Sequence, residues 1–187
     1  KKFVQQLSFT LTPDQKIAAW EILQDIQKNE PMNRLLEGDV GSGKTVVAAM
    51  AMYSAALAGF QSVIMAPTEI LAQQHFESIS NLFDGYDITV GLLTRSKAVM
   101  NVESEEKRKK KKISFAEQKR NLFEEIKNGR MNIMIGTHAL LSENIMFKNL
   151  GLMIVDEQHR FGVEQRKMLR AKSANQGITP HFLSMTA

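Results

Sequence analysis

The stretch NRLLEGDVGSGKTVVAAMAMYSAAL, residues 33–57, joins a short apolar run to a glycine-rich loop and then to a long apolar helix pattern. Residues 33–38 are predicted to form a strand and residues 44–58 a helix, which Gly59 would end as a C-cap. A glycine-rich loop between a buried strand and a helix places backbone N–H groups around an anion. The stretch therefore predicts a phosphate-binding strand–loop–helix unit.

The loop itself matches the spacing G-x-x-x-x-G-K-[ST] at every fixed position. Its glycines allow the chain to curl so that successive N–H groups point at phosphate oxygens. Lys44 is expected to reach the β- and γ-phosphates, and the Thr45 hydroxyl is expected to bind magnesium. The predicted nucleotide contacts are Gly38, Asp39, Val40, Gly41, Ser42, Gly43, Lys44 and Thr45. The alternative, an incidental glycine-rich turn, is disfavoured because a strand pattern precedes the loop and a helix pattern follows it.

The rest of the chain repeats this alternation of short apolar runs and helical patterns. Further strands are predicted at residues 61–67, 87–94, 131–137, 150–156 and 181–186. Further helices are predicted at residues 13–28, 69–83, roughly 115–128 and 163–171. The strands lack a regular polar alternation, which is typical of a parallel sheet covered on both faces. The sequence therefore predicts one α/β domain over residues 1–187, doubly wound, with a mainly parallel sheet flanked by helices.

The composition is that of an ordinary globular domain. Of the 187 residues, 43% are hydrophobic and 24% are charged. The chain has no cysteine, which excludes a disulfide framework and a thiolate metal site. Residues 1–10 carry no secretory signal, and the apolar stretch at 46–60 is too short for a membrane span. A cytoplasmic protein with no membrane partner is therefore expected.

The net charge of +4 originates from one segment. Six consecutive basic residues lie at 107–112, and without them 18 of the 24 basic residues remain against 20 acidic ones. The surrounding residues 95–114 show no core pattern and are predicted to leave the sheet, with a basic, flexible insertion at 97–114. A solvated loop is the simplest interpretation of the lysine run taken alone.

An acidic pair follows the apolar run at residues 150–156. Asp156 and Glu157 are adjacent carboxylates, which repel each other unless a cation neutralises them. In nucleotide hydrolases with a phosphate loop, an acid after a second strand completes the magnesium shell, so Asp156 is predicted to bind Mg²⁺. Glu157 would then deprotonate the attacking water. ATP and Mg²⁺ are the predicted cofactors, and a solvated turn is the alternative.

This prediction carries a spatial requirement. The phosphate loop near Ser42 and the acidic pair near Asp156 are expected to end neighbouring strands and to face one pocket. That pocket would have to fit a triphosphate and its divalent ion. If the two segments lay at opposite edges of the sheet, the chain could not hydrolyse a nucleotide in this way.

Five stretches together resemble the motifs of superfamily-2 helicases. They are GDVGSGKT at 38–45, APTEILAQQH at 66–75, GTHALL at 136–141, DEQHRFGVEQR at 156–166 and SMTA at 184–187. Their wording is closest to the RecG family of ATP-dependent DNA helicases, which remodel stalled replication forks. FTLTPDQ at 9–15 is similar to the Q motif of that family. The resemblance covers nearly the whole chain apart from the basic insertion, and it implies a RecA-like ATP-binding motor domain.

The resemblance implies roles for residues that the spacing alone does not explain. Gln15 would hydrogen-bond the adenine edge, because an amide offers a donor and an acceptor together. Phe9 would pack on the base, although a core position is equally open for it. His159 would sense the γ-phosphate, and Ser184 and Thr186 would link hydrolysis to movement on DNA.

The resemblance also implies contacts with DNA. The residues that would bind its backbone are Thr68, Gly136, Thr137 and His138. Such contacts position DNA without reading its sequence, and helix capping or turn chemistry is the alternative explanation. Arg95 stands where the family often has a small residue, which puts close approach of DNA there in doubt. The basic run at 107–112 is longer than the usual family connection and would add nonspecific phosphate contacts.

The resemblance finally implies that further domains belong to the parent chain. The sequence stops inside SMTA, where family members continue into a second RecA-like domain, and an N-terminal wedge domain is expected too. The partners would be these two domains and branched or forked DNA. The fragment alone is expected to be nearly inactive, because the second domain supplies an arginine finger. Two alternatives remain: a related helicase such as the transcription-repair coupling factor, and a nucleotide-dependent switch or binding module without DNA motor activity.

Overall fold

The structure is a computed structural model that describes residues 2–101, 114–142, 144–157, 167–168, 171 and 179–187. Helices α1 to α5 are Lys2–Gln6, Pro13–Asp25, Lys44–Leu57, Glu69–Leu82 and Phe115–Lys127. Strands β1 to β7 are Asn33–Glu37, Gln61–Met65, Val90–Leu93, Ala98–Met100, Ile133–Gly136, Leu150–Asp156 and His181–Thr186. A 3-10 helix, His138–Leu141, follows β5. Within these ranges, no helix has the length and hydrophobicity that a membrane span requires.

The strands form one sheet in the order β1-β7-β6-β2-β5-β3-β4. Every neighbouring pair is parallel except β3 and β4, which pair antiparallel at the edge. All residues of β2, β3, β5 and β6 are buried, as expected for strands covered on both faces. The predicted doubly wound α/β fold with a mainly parallel sheet is confirmed.

Each face of the sheet carries its own apolar core. The core beneath α2, α3 and α4 contains Ile64 and Leu183, whereas the core beneath α5 contains Val63 and Phe182. Adjacent residues of one strand therefore enter opposite cores, because successive side chains point to opposite faces. Burying one large apolar side chain contributes about 1.5–3 kcal/mol, so this double patterning fixes the register of the strands.

Helix ends are set by local hydrogen bonds. Thr12 and Gln15 form a capping box at α2, in which each side chain accepts the backbone N–H of the other. Thr68 and Ser114 cap α4 and α5 with one side-chain bond each. Gly59 has a φ of 81° directly after α3, as the sequence predicts for a C-cap. Each N-cap bond contributes about 1 kcal/mol.

The predicted departure of residues 95–114 from the sheet is wrong for Ala98–Met100, which form β4. Three residues are too few to show a periodicity, so no strand pattern is visible there. The pairing is fixed from outside the triplet by Asn101, whose Oδ1 accepts the Val90 N–H at 2.8 Å and whose own N–H donates to Val90 O at 2.9 Å. The basic run at 107–112 lies outside the described residues.

The first helix, α1, is absent from the sequence-based prediction. Phe3 attaches it to the domain by packing against the rings of Tyr53, Phe83 and Tyr86, with centroid distances of 5.3, 5.5 and 5.8 Å. Aromatic pairs at such distances stabilise by about 0.5–1.5 kcal/mol beyond their buried area. The helix predicted at residues 163–171 falls almost wholly outside the part of the chain that is described.

Candidate nucleotide-binding site

The strands β1, β7 and β6 are parallel neighbours, so their carboxyl ends lie together at the same end of the sheet. The N–H of Gly38, the first residue of the loop, donates to Thr186 O at 3.2 Å. The N–H of Glu157, the second of the two acids, donates to Met185 O at 2.9 Å. The phosphate loop, the SMTA segment and the acidic pair therefore lie side by side, connected through main-chain hydrogen bonds.

The expectation that the loop and the acidic pair end neighbouring strands is wrong. β7 lies between β1 and β6 and pairs in parallel with both. Strand order in a parallel sheet is set by crossover packing, which the order of elements along the chain does not reveal. The consequence is that Ser184 and Thr186 stand between the two sites, with Ser184 buried at 3% exposure. Their coupling role remains a prediction.

The phosphate loop is shaped by Gly41 and Gly43. Their φ angles are 82° and 84°, in the left-handed region that glycine adopts without steric cost. A Cβ on Gly43 would lie 2.3 Å from Gln15 Nε2, whereas a Cβ on Gly41 would meet nothing within 4 Å. Gly43 is thus favoured by its backbone angle and by the nearby amide of Gln15, which a Cβ would displace, whereas Gly41 is favoured by its backbone angle alone.

The ammonium of Lys44 lies against the start of the loop. Its Nζ donates to the carbonyl oxygen of Gly38 and, at 3.0 Å, to that of Asp39. The loop also contains a backbone hydrogen bond, from Ser42 N–H to Asp39 O at 3.0 Å, which closes a turn. The predicted phosphate-binding cation is therefore positioned by the loop itself.

Gln15 holds the loop from the side of α2. Its Nε2 donates to Ser42 O at 2.8 Å, while its Oε1 accepts the Thr12 N–H at 2.9 Å. Both ends of the amide are thus bonded within the protein. The predicted contact with an adenine edge stays a prediction, and it would use the second N–H of Nε2 and the second lone pair of Oε1. Sequence reasoning missed that Gln15 connects the α2 cap to the phosphate loop.

Two clefts flank Gln15. One of about 440 Å³ is lined by α2 and by Gly38, Asp39, Ser42 and Lys44. The other, of about 530 Å³, is lined by Phe9, Gly43, Thr45 and residues of α4. Phe9 is 47% exposed, which excludes the core position that the sequence left open for it. Its packing on a base remains a prediction.

Asp156 has a partner that sequence reasoning missed. Its Oδ2 lies 2.7 Å from Nε2 of His75, which comes from α4. Both side chains are nearly buried, with exposures of 11% for His75 and 12% for Asp156. His75 belongs to the stretch APTEILAQQH, in which the resemblance implies a role for Thr68 alone. The available signal was spacing, since seven residues make about two helical turns and return to the same face.

Glu157 begins the segment after β6 with a φ of 54°, the only positive φ outside glycine within the described ranges. This conformation costs an L-residue about 1–2 kcal/mol. Such strain clusters at functional sites, which agrees with the predicted role of Glu157 as the base. His159, the predicted γ-phosphate sensor, lies outside the described residues.

The residues of the site are suited to magnesium that arrives with a nucleotide. Among the described residues, no group of three or more His, Cys, Asp or Glu could hold a metal ion on its own. Magnesium bound to phosphates needs few protein oxygens and keeps several waters. The hydroxyl of Thr45 and the carboxylate of Asp156 are donors of that hard, oxygen type.

The residues predicted to contact DNA follow β2 and β5. Thr68 caps α4, and its hydroxyl accepts a backbone N–H of the first turn at 3.2 Å. A Cβ on Gly136 would lie 2.1 Å from Leu93 O, so close packing of the main chain requires that glycine. Thr137 is the N-cap residue of the 3-10 helix, and His138 is its first residue. Structural roles thus account for Thr68 and Gly136, and DNA contact by all four residues stays a prediction.

The first turn of α4 is attached to the turn between β3 and β4. Glu69 Oε2 accepts the hydroxyl of Ser96 and, at 2.9 Å, that of Thr94. These bonds, the one from Ser96 most of all, hold the pKa of the Glu69 carboxyl below its usual value. One turn further along, Gln73 accepts a hydrogen bond from the ammonium of Lys97. The start of α4 is therefore fixed to the turn between β3 and β4.

Residues 12–187 match the DEAD/DEAH box helicase family. The chain belongs to this family. Over its whole length it is 48% identical to the ATP-dependent DNA helicase RecG of Staphylococcus aureus (strain NCTC 8325 / PS 47) and 47% identical to RecG of Bacillus subtilis (strain 168). It is 42% identical to RecG of Aquifex aeolicus (strain VF5). The chain spans 24%, 24% and 21% of these relatives, about a quarter of their length or less.

Solved structures of helicases share the fold. RecG bound to a three-way DNA junction is similar with a TM-score of 0.76 and 40% sequence identity, over 98% of this chain and 22% of that chain. A hypothetical ATP-dependent RNA helicase from Sulfolobus tokodaii, at 18% identity, has a TM-score of 0.65 over 100% of this chain and 49% of its own. The second likeness shows the fold alone. The resemblance to RecG-type helicases stated from the motifs is confirmed.

Proposed function

We propose that this chain is the ATP-binding motor domain of a RecG-type DNA helicase, which uses ATP hydrolysis to move on duplex DNA and remodel branched DNA such as stalled forks. One observation carries the proposal. The phosphate loop, the SMTA segment and the acidic pair lie side by side at one sheet edge, with main-chain bonds from Gly38 to Thr186 and from Glu157 to Met185. Similarity to RecG over the whole chain supports it.

The phosphates of ATP would lie in the loop at residues 38–45. The backbone N–H groups of the loop and the N-terminus of α3 favour an anion there. Lys44 would exchange the carbonyls of Gly38 and Asp39 for phosphate oxygens, because a bond between two charged groups is stronger than one to a neutral carbonyl. The base would occupy the cleft beside Phe9 and Gln15.

Bound Mg²⁺ would supply positive charge to the phosphates and to the acidic pair. Thr45 and Asp156 are the side chains that would hold it. Glu157, immediately after the buried strand β6, would orient the attacking water and accept its proton. The left-handed conformation of Glu157 turns the chain sharply at the end of β6 and so sets the direction in which its side chain leaves the backbone.

The proposed partners are branched DNA, a second RecA-like domain and a wedge domain of the same protein. The solved structure of RecG with a three-way DNA junction supports the DNA partner. In this chain, Thr68 and residues 136–138 form the surface proposed for the DNA backbone. A cytoplasmic location fits a protein that acts on replicating DNA. The chain alone would bind ATP and hydrolyse it slowly, because the arginine finger would come from the second domain.

A magnesium-dependent nucleotide titration on the purified chain tests the nucleotide site. Lys44→Ala is expected to weaken binding of a fluorescent ATP analogue about 10- to 100-fold, because hydrogen bonds to charged groups contribute about 1.5–3 kcal/mol. Lys28→Ala is the matched control, since that side chain is 64% exposed and pairs with Asp25. It should bind as the wild type does. Equal affinity of the wild type and Lys44→Ala would contradict the proposal.

The motor function is tested in the full-length protein. DNA should stimulate its ATP hydrolysis, and Glu157→Gln should abolish that hydrolysis while ATP binding persists, because the amide cannot accept the proton of water.

Replacement of all six basic residues at 107–112 by Ser and Gln tests their separate role. An unchanged DNA affinity and salt dependence would refute contacts of this run with DNA phosphates.

A further inference from the structure

We propose that His75 is a positioning residue of the nucleotide site, which holds Asp156 in the orientation that receives Mg²⁺. This inference rests on the proposed function and adds a residue that the phosphate loop and the acidic pair do not include. The observation behind it is the 2.7 Å contact between His75 Nε2 and Asp156 Oδ2. The two residues come from different elements, α4 and β6, 81 positions apart.

The direction of the hydrogen bond follows from its chemistry. An ionised carboxylate only accepts hydrogen bonds, so Nε2 of His75 carries the hydrogen and donates a hydrogen bond to Oδ2. Within the part of the chain that the structure describes, Oδ1 of Asp156 has no hydrogen-bond partner. The imidazole therefore bonds one oxygen, Oδ2, and we assign the other oxygen, Oδ1, to Mg²⁺. Partners of this kind orient the residues that bind a metal and tune their affinity.

Burial limits the other hydrogen-bond partners that the two side chains could reach. Only about a tenth of either side chain is exposed, 11% for His75 and 12% for Asp156. Little water can therefore replace the imidazole as a hydrogen-bond donor to the carboxylate. Without His75, Asp156 would be free to turn towards solvent. The imidazole thus favours one rotamer of the carboxylate.

Helix α4 also carries Thr68, one of the residues proposed for the DNA backbone, as the cap of its first turn. Glu69 is bonded there to Thr94 and Ser96 of the turn after β3. His75 follows about two turns later on the same helix. The position of the ring that holds Asp156 is therefore set by a helix whose first turn is itself fixed.

The test separates the hydrogen bond from the packing of the ring. His75→Gln places an N–H donor near the position of Nε2, whereas His75→Met keeps a similar length and has no donor. Gln74→Ala, at an exposed neighbouring position of α4, is the control for changes in the helix. For each purified variant, the affinity for a fluorescent ADP analogue is measured without Mg²⁺ and over a series of Mg²⁺ concentrations.

His75→Met is expected to raise the half-saturating Mg²⁺ concentration about tenfold, the lower end of the range for residues that orient metal ligands. His75→Gln should stay within about threefold of the wild type, since it restores the donor, and Gln74→Ala should match the wild type. The affinity without Mg²⁺ should be the same in all four proteins, because the phosphate loop is unchanged.

Three results would overturn the inference while the proposed function stands. They are a wild-type Mg²⁺ requirement in His75→Met, equal impairment of His75→Gln and His75→Met, and an equal loss of affinity with and without Mg²⁺. A wild-type chain that binds no nucleotide would instead refute the proposed function itself. Circular dichroism and urea unfolding check the fold. Should His75→Met not fold, His75→Asn replaces it, because its shorter amide cannot reach Asp156.

Discussion

The phosphate loop and the acidic end of β6 lie at the same edge of the sheet but are built differently. The loop is made by consecutive residues: Gly41 and Gly43 have φ angles of 82° and 84°, and Lys44 bonds to carbonyls of its own loop. The acidic site is made by side chains, because Asp156 is held by His75 from 81 residues away. One region is thus a backbone structure and the other a contact between elements.

This difference predicts how each region responds to substitution. A loop defined by backbone angles is sensitive to an added Cβ even where no neighbour is close. A contact between two elements is sensitive to the loss of a donor even where the backbone can accept any residue. The two regions act together only if both reach the same cation, which mutations can test.

The largest expected effect is on the loop. Gly43→Ala should lower the free energy of unfolding by about 2–3 kcal/mol, with contributions from the left-handed φ of about 1–2 kcal/mol and from overlap with Gln15 of about 1 kcal/mol. Gly41→Ala has a similar φ and no neighbour within 4 Å, so it should lose only about 1–2 kcal/mol. Urea unfolding of both variants measures the difference.

The overlap can be removed independently. Combining Gly43→Ala with Gln15→Ala should recover about 1 kcal/mol relative to the sum of the two single changes, because the 2.3 Å contact no longer forms. Equal destabilisation by Gly41→Ala and Gly43→Ala would show that the backbone angle alone defines the loop and that Gln15 does not constrain it.

The next effect concerns the cation that the two regions would share. Thr45→Val and Asp156→Asn should each weaken the Mg²⁺-dependent binding of ATP about tenfold, which is about 1.4 kcal/mol. If both hold one ion, the double variant should also be weakened far less than the hundredfold expected for independent sites. Titration calorimetry at fixed Mg²⁺ measures all four proteins. Additive losses would mean that the loop and the acidic end do not share a cation.

The smallest effect tests the strain at the acidic end. Glu157→Gly should have a free energy of unfolding about 0.5–1 kcal/mol higher than Glu157→Ala, because both changes remove the same carboxylate and relief of the left-handed φ exceeds the entropy cost of glycine. At Glu37, an exposed position in extended β1, the Gly variant should instead be about 0.5–1 kcal/mol less stable than the Ala variant. Urea unfolding compares the four variants. The same sign of the difference at both positions would contradict a strained backbone at Glu157.

The sequence identified the phosphate loop because its pattern is local. Residue type decides each feature of that loop, since only glycine accepts the left-handed angles and only a basic residue at Lys44 supplies the charge. The strands and helices around it were found for the same reason, with ends that shifted by a few residues. β4 was missed because Ala98–Met100 is too short for a period and is held in place by Asn101.

Other features were beyond any local pattern. The sequence located Asp156 but gave it the wrong neighbours, because a parallel sheet orders its strands by how the connecting helices pack and not by their sequence order. The same limit concealed His75 and the bond from Gln15 to Ser42. Each of these contacts joins residues far apart in the chain.

The amino-acid sequence by itself thus determined the α/β class, the phosphate loop, the acidic pair and the resemblance to RecG-type helicases. These depend on backbone conformations and side-chain chemistry within short stretches. Only the tertiary structure decided that β7 separates β1 from β6, that Gln15 holds the loop and that His75 holds Asp156. The physical reason is that burial packs α2 and α4 against the sheet, and this packing is what brings the distant hydrogen-bonding residues together.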